Sequence, residues 1–302
     1  MTYSAGNTIL DDDYNGFKDD VNTMWSTGSG SNGYGQTAVS AVAAGSTITA
    51  TQWATLLSRI SSAASHQGTS ITSITNPSAG ATISAYAALA GNITSVTGTN
   101  RLNAAASGSD SSATTTTTSA WASSASTTKT ITFASANAKR WFFNAGGMIR
   151  MSWARSGGTA SSQNTSWTNL LGAAGTIVVT GAASSKTIAG VAYTGTSKIG
   201  GSGTVTTLAT TTGADVISGS TTIFKQLSAT YLYTTNNINV NASGSSTNIS
   251  FAVTLTDNDA PAGPDSVDGT LTMTTTIRPP STTYVSAAWG SVTQNSASWS
   301  VS

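Results

Sequence analysis

Ile249-Ser250-Phe251-Ala252-Val253-Thr254-Leu255 alternates apolar residues with small or polar ones. That is the period of a strand with one face buried and the other in water. Leu271-Thr272-Met273-Thr274-Thr275-Thr276-Ile277 repeats the pattern with threonine on the outer face, and Ile131 and Phe133 alternate with threonine further upstream. Gly200-Gly201-Ser202-Gly203 and Asn236-Asn237 punctuate these runs as turns. One short helix is expected at 164–172, where Trp167, Leu170 and Leu171 fall in register. Lys139 to Arg155 reads as strand, Gly146-Gly147 turn and strand, with Ile149, Met151 and Trp153 on one face and Arg150 and Ser152 on the other. The expected fold is mainly β with a small α-helical N-terminal region. It is an antiparallel β-sandwich, jelly-roll or immunoglobulin-like, preceded by three repeated short helices.

The helices are read from a repeated pattern. Gly6-Asn7-Thr8-Ile9 leads into Tyr14, Phe17 and Val21; Gly45-Ser46-Thr47-Ile48 leads into Trp53, Leu56 and Ile60; Gly80-Ala81-Thr82-Ile83 leads into Tyr86, Leu89 and Ile93. An aromatic followed by apolar residues at steps of three and four lies on one helical face. Thr49 and Gln52 form a capping box, Asp11, Asp12 and Asp13 suit a helix N-terminus, and Gly68 is a helix stop. A single such helix cannot bury its stripe alone. The stripe residues therefore serve either a small helical bundle or an assembly interface with sister subunits. Between the first two helices, Thr27 to Gln36 is a glycine-rich loop whose Tyr34 is expected to fold back on the helices.

Three regions follow. Residues 1–97 form a repeated-helix anchoring and oligomerisation domain. Residues 98–127, with the run Thr114 to Thr118, form a Ser/Thr-rich extended linker. Residues 128–302 form the antiparallel β-sandwich domain.

Composition narrows the chemistry. The chain carries 48 Ser and 55 Thr among 302 residues, against 12 basic and 11 acidic side chains, and every acid is Asp. Cys is absent and His66 is the sole histidine. A conventional zinc site, an iron–sulfur cluster and a thiol nucleophile thus lack their residues. A net charge of +1 gives no basic footprint for nucleic acid. No apolar run reaches the length of a membrane span, and Met1-Thr2-Tyr3-Ser4 does not open a secretory signal. Low charge combined with Val, Ile, Thr and aromatics indicates a folded β chain with a hydroxyl-coated surface rather than disorder.

Few residues offer a site. Asp257, Asp259, Asp265 and Asp268 cluster on one connection and form a weak calcium candidate. Their spacing does not follow the calcium-loop motif, and Pro261 and Pro264 suit an ordinary strand connection. His66, near a helix end and without an evident acid–base partner, is expected to cap or pack. Glycan cleavage needs paired carboxylates, whereas Asp110 and Asp215 stand alone. The chain is therefore expected to be no enzyme and to carry no cofactor.

Trp141-Phe142-Phe143-Asn144-Ala145-Gly146-Gly147-Met148-Ile149-Arg150, followed by Ser156-Gly157-Gly158, resembles the F-F-N-A-G-G-x-I-R segment of tailed-bacteriophage virion structural proteins. This is a tail- or fibre-type group of aquatic phages. Tyr14-Asn15-Gly16-Phe17, Gly28-Ser29-Gly30, Gly33-Tyr34-Gly35-Gln36 and the Ile48-to-Gly68 segment are similar to the start of the same group. The resemblance implies a non-enzymatic virion component of tail or fibre type, and it supplies no catalytic residue.

The leading expectation is a virion protein anchored through its helices, with other virion proteins as partners, no nucleic acid and no membrane. It would form a homo-oligomer, a trimer being favoured, with a host surface glycan as a further partner. Capsid decoration and neck appendage are alternatives within that class. A bacterial cell-surface adhesin or glycan-binding module is the alternative outside it. With so few charges, the oligomer should hold together through apolar and hydrogen-bonded contacts as ionic strength rises. Size measurement across a salt series tests this, and dissociation by moderate salt alone would contradict it.

Overall fold

The computed structural model describes residues 10–80, 85–181, 185–203, 205–209, 220–229, 233–258 and 266–302. The Gly6-to-Ile9 and Ala81-to-Ile83 stretches of the repeat lie outside these residues. Helices α1 (Asp11–Trp25), α2 (Ala50–Gln67) and α3 (Tyr86–Thr97) come first, followed by a 3-10 turn at Thr99–Leu102. Local chemistry sets their ends. The Asp13 carboxylate accepts from Leu10 N at 3.1 Å, where α1 begins. At α2, Thr49 Oγ1 accepts from Gln52 N at 3.2 Å while Gln52 Oε1 accepts from Thr49 N at 2.8 Å, and Gly68 ends the helix in the left-handed conformation with φ +68°.

Two antiparallel sheets follow. The first has the order β1 (Ser111–Thr117), β12 (Thr270–Arg278), β3 (Met148–Ser156), β4 (Thr176–Val179) and β7 (Thr196–Ile199). The second runs β13 (Val292–Gln294), β2 (Ser124–Phe133), β11 (Asn248–Thr256), β10 (Asn237–Gly244), β9 (Ser220–Leu227) and β8 (Val205–Leu208), with β14 (Ser300–Val301) also on β2. A hairpin of β5 (Lys186–Ile188) and β6 (Val191–Tyr193) stands apart. Helix α4 (Ala136–Asn144) joins β2 to β3, and α5 (Ser162–Ala174) joins β3 to β4. The arrangement is mainly β and compatible with a β-sandwich. Trp153 of β3 stacks on Phe224 of β9 with ring centres 6.3 Å apart and planes at 7°, so the inner faces of the two sheets meet.

The alternation that opened the sequence reading is realised in β11, where Ile249, Phe251, Val253 and Leu255 are fully buried. Its outward Ser250 bonds the outward Thr130 of β2 at 2.8 Å between hydroxyl oxygens. On the first sheet, Ser112 and Thr276 pair in the same way at 2.7 Å. A smaller apolar cluster of Ala104, Met148, Val178, Ile188 and Tyr193 packs the β5–β6 hairpin against the first sheet.

Two expectations are corrected. Residues 98–127 are not an extended connector. They hold the 3-10 turn, all of β1 and the start of β2, and Thr114 pairs with Thr274 and Thr116 with Thr272. A β-branched run favours extended backbone, and here that backbone finds a neighbouring strand. Likewise Lys139 to Asn144 is not a strand. It belongs to α4, capped by Ser135 Oγ accepting from Ala138 N at 3.0 Å, with Ala138, Lys139, Phe142 and Phe143 on its buried side. Phe142 and Phe143 meet at 90°, and both lie against Phe133. Those aromatic contacts need helical spacing.

Two straps of irregular backbone lie along the helices, held by carboxamides. Asn15 Nδ2 donates to Val42 O and its Oδ1 accepts from Val42 N, both at 2.9 Å. Asn22 holds Val39 in the same way, both bonds at 2.9 Å. Asn92 of α3 holds Thr72 with two bonds of 2.8 Å. Each clamp satisfies one backbone donor and one acceptor that no strand partner supplies. Replacing Asn22→Ala leaves Val39 without both partners and should destabilise the fold by about 1–3 kcal/mol. Denaturant unfolding measures this, and a loss below about 0.5 kcal/mol would show that the clamp contributes little.

Candidate functional site

The helix stripe serves the chain's own interior. Tyr14, Phe17, Val21, Trp53, Leu56, Ile60, Leu89 and Ile93 are buried, and Tyr86 is half-buried against Phe17 with ring centres 4.9 Å apart. These nine residues were one candidate for an assembly interface. The helices instead bury them against one another, so they present no outward apolar face to a sister subunit. Their core is continuous with that of the sheets.

The glycine-rich loop and the start of the Lys139-to-Arg155 stretch come together. Helix α4 grips the glycine-rich loop through its carbonyls. Arg140 donates to Thr27 O at 2.7 Å and Gly30 O at 3.0 Å, and Trp141 Nε1 donates to Thr27 O at 3.0 Å. Asn144 Nδ2 donates to Ser31 O at 2.9 Å and Gly33 O at 3.0 Å. Gly35, with φ +74°, lies so close to Trp141 that a Cβ there would sit 2.4 Å from the indole ring. Gln36 continues the seam toward the C-terminal region, donating to Ser286 O at 3.0 Å and accepting from Ser286 N at 2.8 Å. On the other side of α4, Lys139 Nζ donates to Ser245 O at 2.8 Å. Sequence periodicity missed this seam because its partners are backbone oxygens, which leave no mark on residue type.

His66 lies behind the same seam. It is 2% exposed, and its Nε2 is 3.0 Å from Ala145 O. A carbonyl only accepts, so this nitrogen carries the proton of a neutral ring. The Tyr34 ring meets it edge-on at 5.4 Å. The Tyr34 hydroxyl donates to Arg101 O and accepts from Gln67 Nε2 at 2.9 Å, and burial holds its pKa above the usual tyrosine value. Tyr34 therefore folds back on the helices, in line with the sequence reading, and His66 packs.

Of the four acidic candidates, Asp257 and Asp268 lie among the described residues, and both accept from N–H donors. Asp257, buried, accepts from Gln163 Nε2 at 2.6 Å and Trp167 Nε1 at 3.0 Å. Asp268 accepts from Asn164 Nδ2, from Thr159 N at 3.0 Å and from Arg155 at 3.4 Å. The Asn164 bond first, then the Thr159 backbone bond, hold its pKa below the usual carboxylate value. Both carboxylates thus hold α5 and its entry loop to the β11–β12 connection. Asp259 and Asp265 lie outside the described residues. So does Asp215, while Asp110 sits with Arg150 and Arg278. Among the described residues no group of three or more His, Cys, Asp or Glu is placed to hold a metal ion, and no helix is long and apolar enough to cross a membrane.

The chain matches no protein-family model, no curated protein and no solved structure.

Burial lowers the His66 pKa from 6.5 to about 4, against a smaller opposing contribution from the Ala145 bond. The unfolded chain therefore takes up this proton first as pH falls. The stabilisation from keeping the ring neutral is complete above about pH 6.5 and declines toward pH 4, for a total of about 3 kcal/mol. Unfolding free energy measured between those values should fall with pH, and His66→Gln should remove most of that dependence. An unchanged slope in the variant would assign it to other groups.

Proposed function

We propose that this chain is a non-enzymatic structural protein of a tailed-bacteriophage virion. It is a tail- or fibre-associated component that attaches through its helical region and presents its β part outward. One observation supports this reading above the others. The Gly28-to-Gly30, Gly33-to-Gln36 and Trp141-to-Arg150 stretches, which resemble one virion group, meet in the seam between helices and sheets, where Asn144 Nδ2 donates to Gly33 O and Gly35 lies against Trp141. A resemblance that falls on a mutually dependent pair of segments carries more weight than two isolated matches.

The finer fold reading is a jelly-roll sandwich in preference to an immunoglobulin-like one. The β1–β2 ribbon pairs with β12–β11, and Trp121 bridges Val267 at the corner between the sheets. Two ribbons that pass together from sheet to sheet are the mark of that topology. The helices α1, α2 and α3 are read as copies of one unit. Because their stripe is internal, a homo-oligomer, a trimer in a fibre, would use outer surfaces of hydroxyl and amide groups. Capsid decoration and neck appendage differ from this only in position.

The test is to locate the chain on purified particles by proteomics and by fitting the structure to virion density. Copies at the tail or its fibres are expected, with the helical region at the attachment point. Particles that are complete without the protein would overturn the proposal.

A further inference from the structure

The exposed tip of the glycine-rich loop, Ser29-Gly30-Ser31, stands among cations. Arg140 of α4 donates to Gly30 O at 3.0 Å, and Arg101 of the 3-10 turn donates to Ser31 O at 3.4 Å. Lys186 of β5 is tied to the same turn, its Nζ donating to Thr99 O. Burial first, and then the Arg101 charge, hold the Lys186 pKa below the usual lysine value, so these two cations are close enough to repel. Among the described residues no carboxylate answers them, and the ion pairs there belong to Lys18, Arg150, Arg155 and Arg278. Like charges held together without a counter-charge cost free energy that a bound anion would recover.

The backbone of the tip adds donors. A trans peptide turns its C=O and the following N–H to opposite sides. Because Gly30 O is held by Arg140, the Ser31 N–H faces away from that guanidinium. Among the described residues the N–H groups of Ser29, Gly30 and Ser31 have no hydrogen-bond partner, while Asn32 N closes the turn on Ser29 O at 3.0 Å. At Gly30, with φ +58°, nothing lies within 4 Å of the place a Cβ would take, so the turn is open. Unpaired amides of a turn beside fixed cations are anion-binding surroundings.

We propose that this tip binds one phosphate-type oxyanion. Arg101 and Lys186 would contact it, the Ser31 N–H and the Ser29 and Ser31 hydroxyls would complete the contacts, and Arg140 would hold the turn from behind. A tetrahedral anion presents acceptor oxygens in several directions and so suits charged donors that arrive from different elements. No large apolar side chain is exposed at the tip, which leaves nothing to insert into lipid or to stack on a base. The bound group is therefore small and charged, either a free ion or the end of a monoester. Such a site does not require the chain to be part of a virion.

The probes are inorganic phosphate and methyl phosphate, titrated near neutral pH into the isotope-labelled full chain and followed by NMR. Chloride holds the ionic strength constant, which keeps general screening out of the comparison. Saturable shifts at the Gly30 and Ser31 amides are expected, with a Kd on the order of 1 mM. Methyl phosphate that competes for the same amides extends the site to monoesters, and binding of phosphate alone confines it to the free ion; either supports it. Arg101→Gln should weaken binding by about tenfold or more, and Lys186→Gln by about threefold or more. The unfolding midpoint of Lys186→Gln should move by less than about 2 °C, which separates lost binding from a lost fold. Lys225→Gln, in the second sheet, should leave the Kd unchanged. Absence of saturable shifts with both probes overturns the site, as does a Kd unchanged in Lys186→Gln. Equal weakening in Lys225→Gln would reduce the effect to general attraction and overturn it as well.

Discussion

The grip of α4 on the carbonyls of Thr27, Gly30, Ser31 and Gly33 is the constraint on which the rest of the molecule depends. Without it the carbonyls of Thr27, Gly30 and Gly33 would lose these side-chain donors, in a loop that lies in neither a helix nor a sheet. With it, the loop becomes a fixed surface. Tyr34 is then directed down to Gln67 and Arg101, Gln36 reaches Ser286, and His66 closes against the turn at Ala145. Helices and sheets share one apolar interior because this polar seam fixes how they meet.

The seam also shows how a chain with so few charges achieves specificity. Ion pairs are sparse among the described residues, with Asp110, Asp268 and Asp19 supplying the acids. Carboxamides do much of the directional work in their place. Asn15, Asn22 and Asn92 each hold the N–H and the C=O of one residue, and Asn164 ties α5 to the start of β12 by accepting from Asp268 N at 3.1 Å. An amide donates and accepts without the desolvation cost of a full charge. Such a network depends little on ionic strength and much on each amide being the right residue.

Several features were legible from residue order because they depend on one periodic element at a time. The alternation in β11 and β12, the register of Trp167, Leu170 and Leu171 in α5, the capping box at Thr49 and the stop at Gly68 are of this kind. The misreadings came where long-range partners decide. Lys139-Arg140-Trp141-Phe142-Phe143 is compatible with either period, and contacts with Phe133 and the glycine-rich loop select the helix. The threonine run looked like a tether because its partner strand lies some 160 residues further on in sequence.

The carboxamide clamps give the protein a chemical age. Asn15 precedes Gly16, a dipeptide that in a flexible chain closes to a succinimide with loss of ammonia and is opened by water to aspartate or isoaspartate. Closure requires the Gly16 nitrogen to attack the Asn15 side-chain carbonyl. Here that nitrogen belongs to α1 and that oxygen is engaged with Val42 N. The folded clamp therefore shields the residue on which it depends. Once α1 opened long enough for the reaction, the product would place a carboxylate against Val42 O, and the strap could not be gripped again in the same way. Damage of this kind would accumulate in copies that unfold often and spare those that do not.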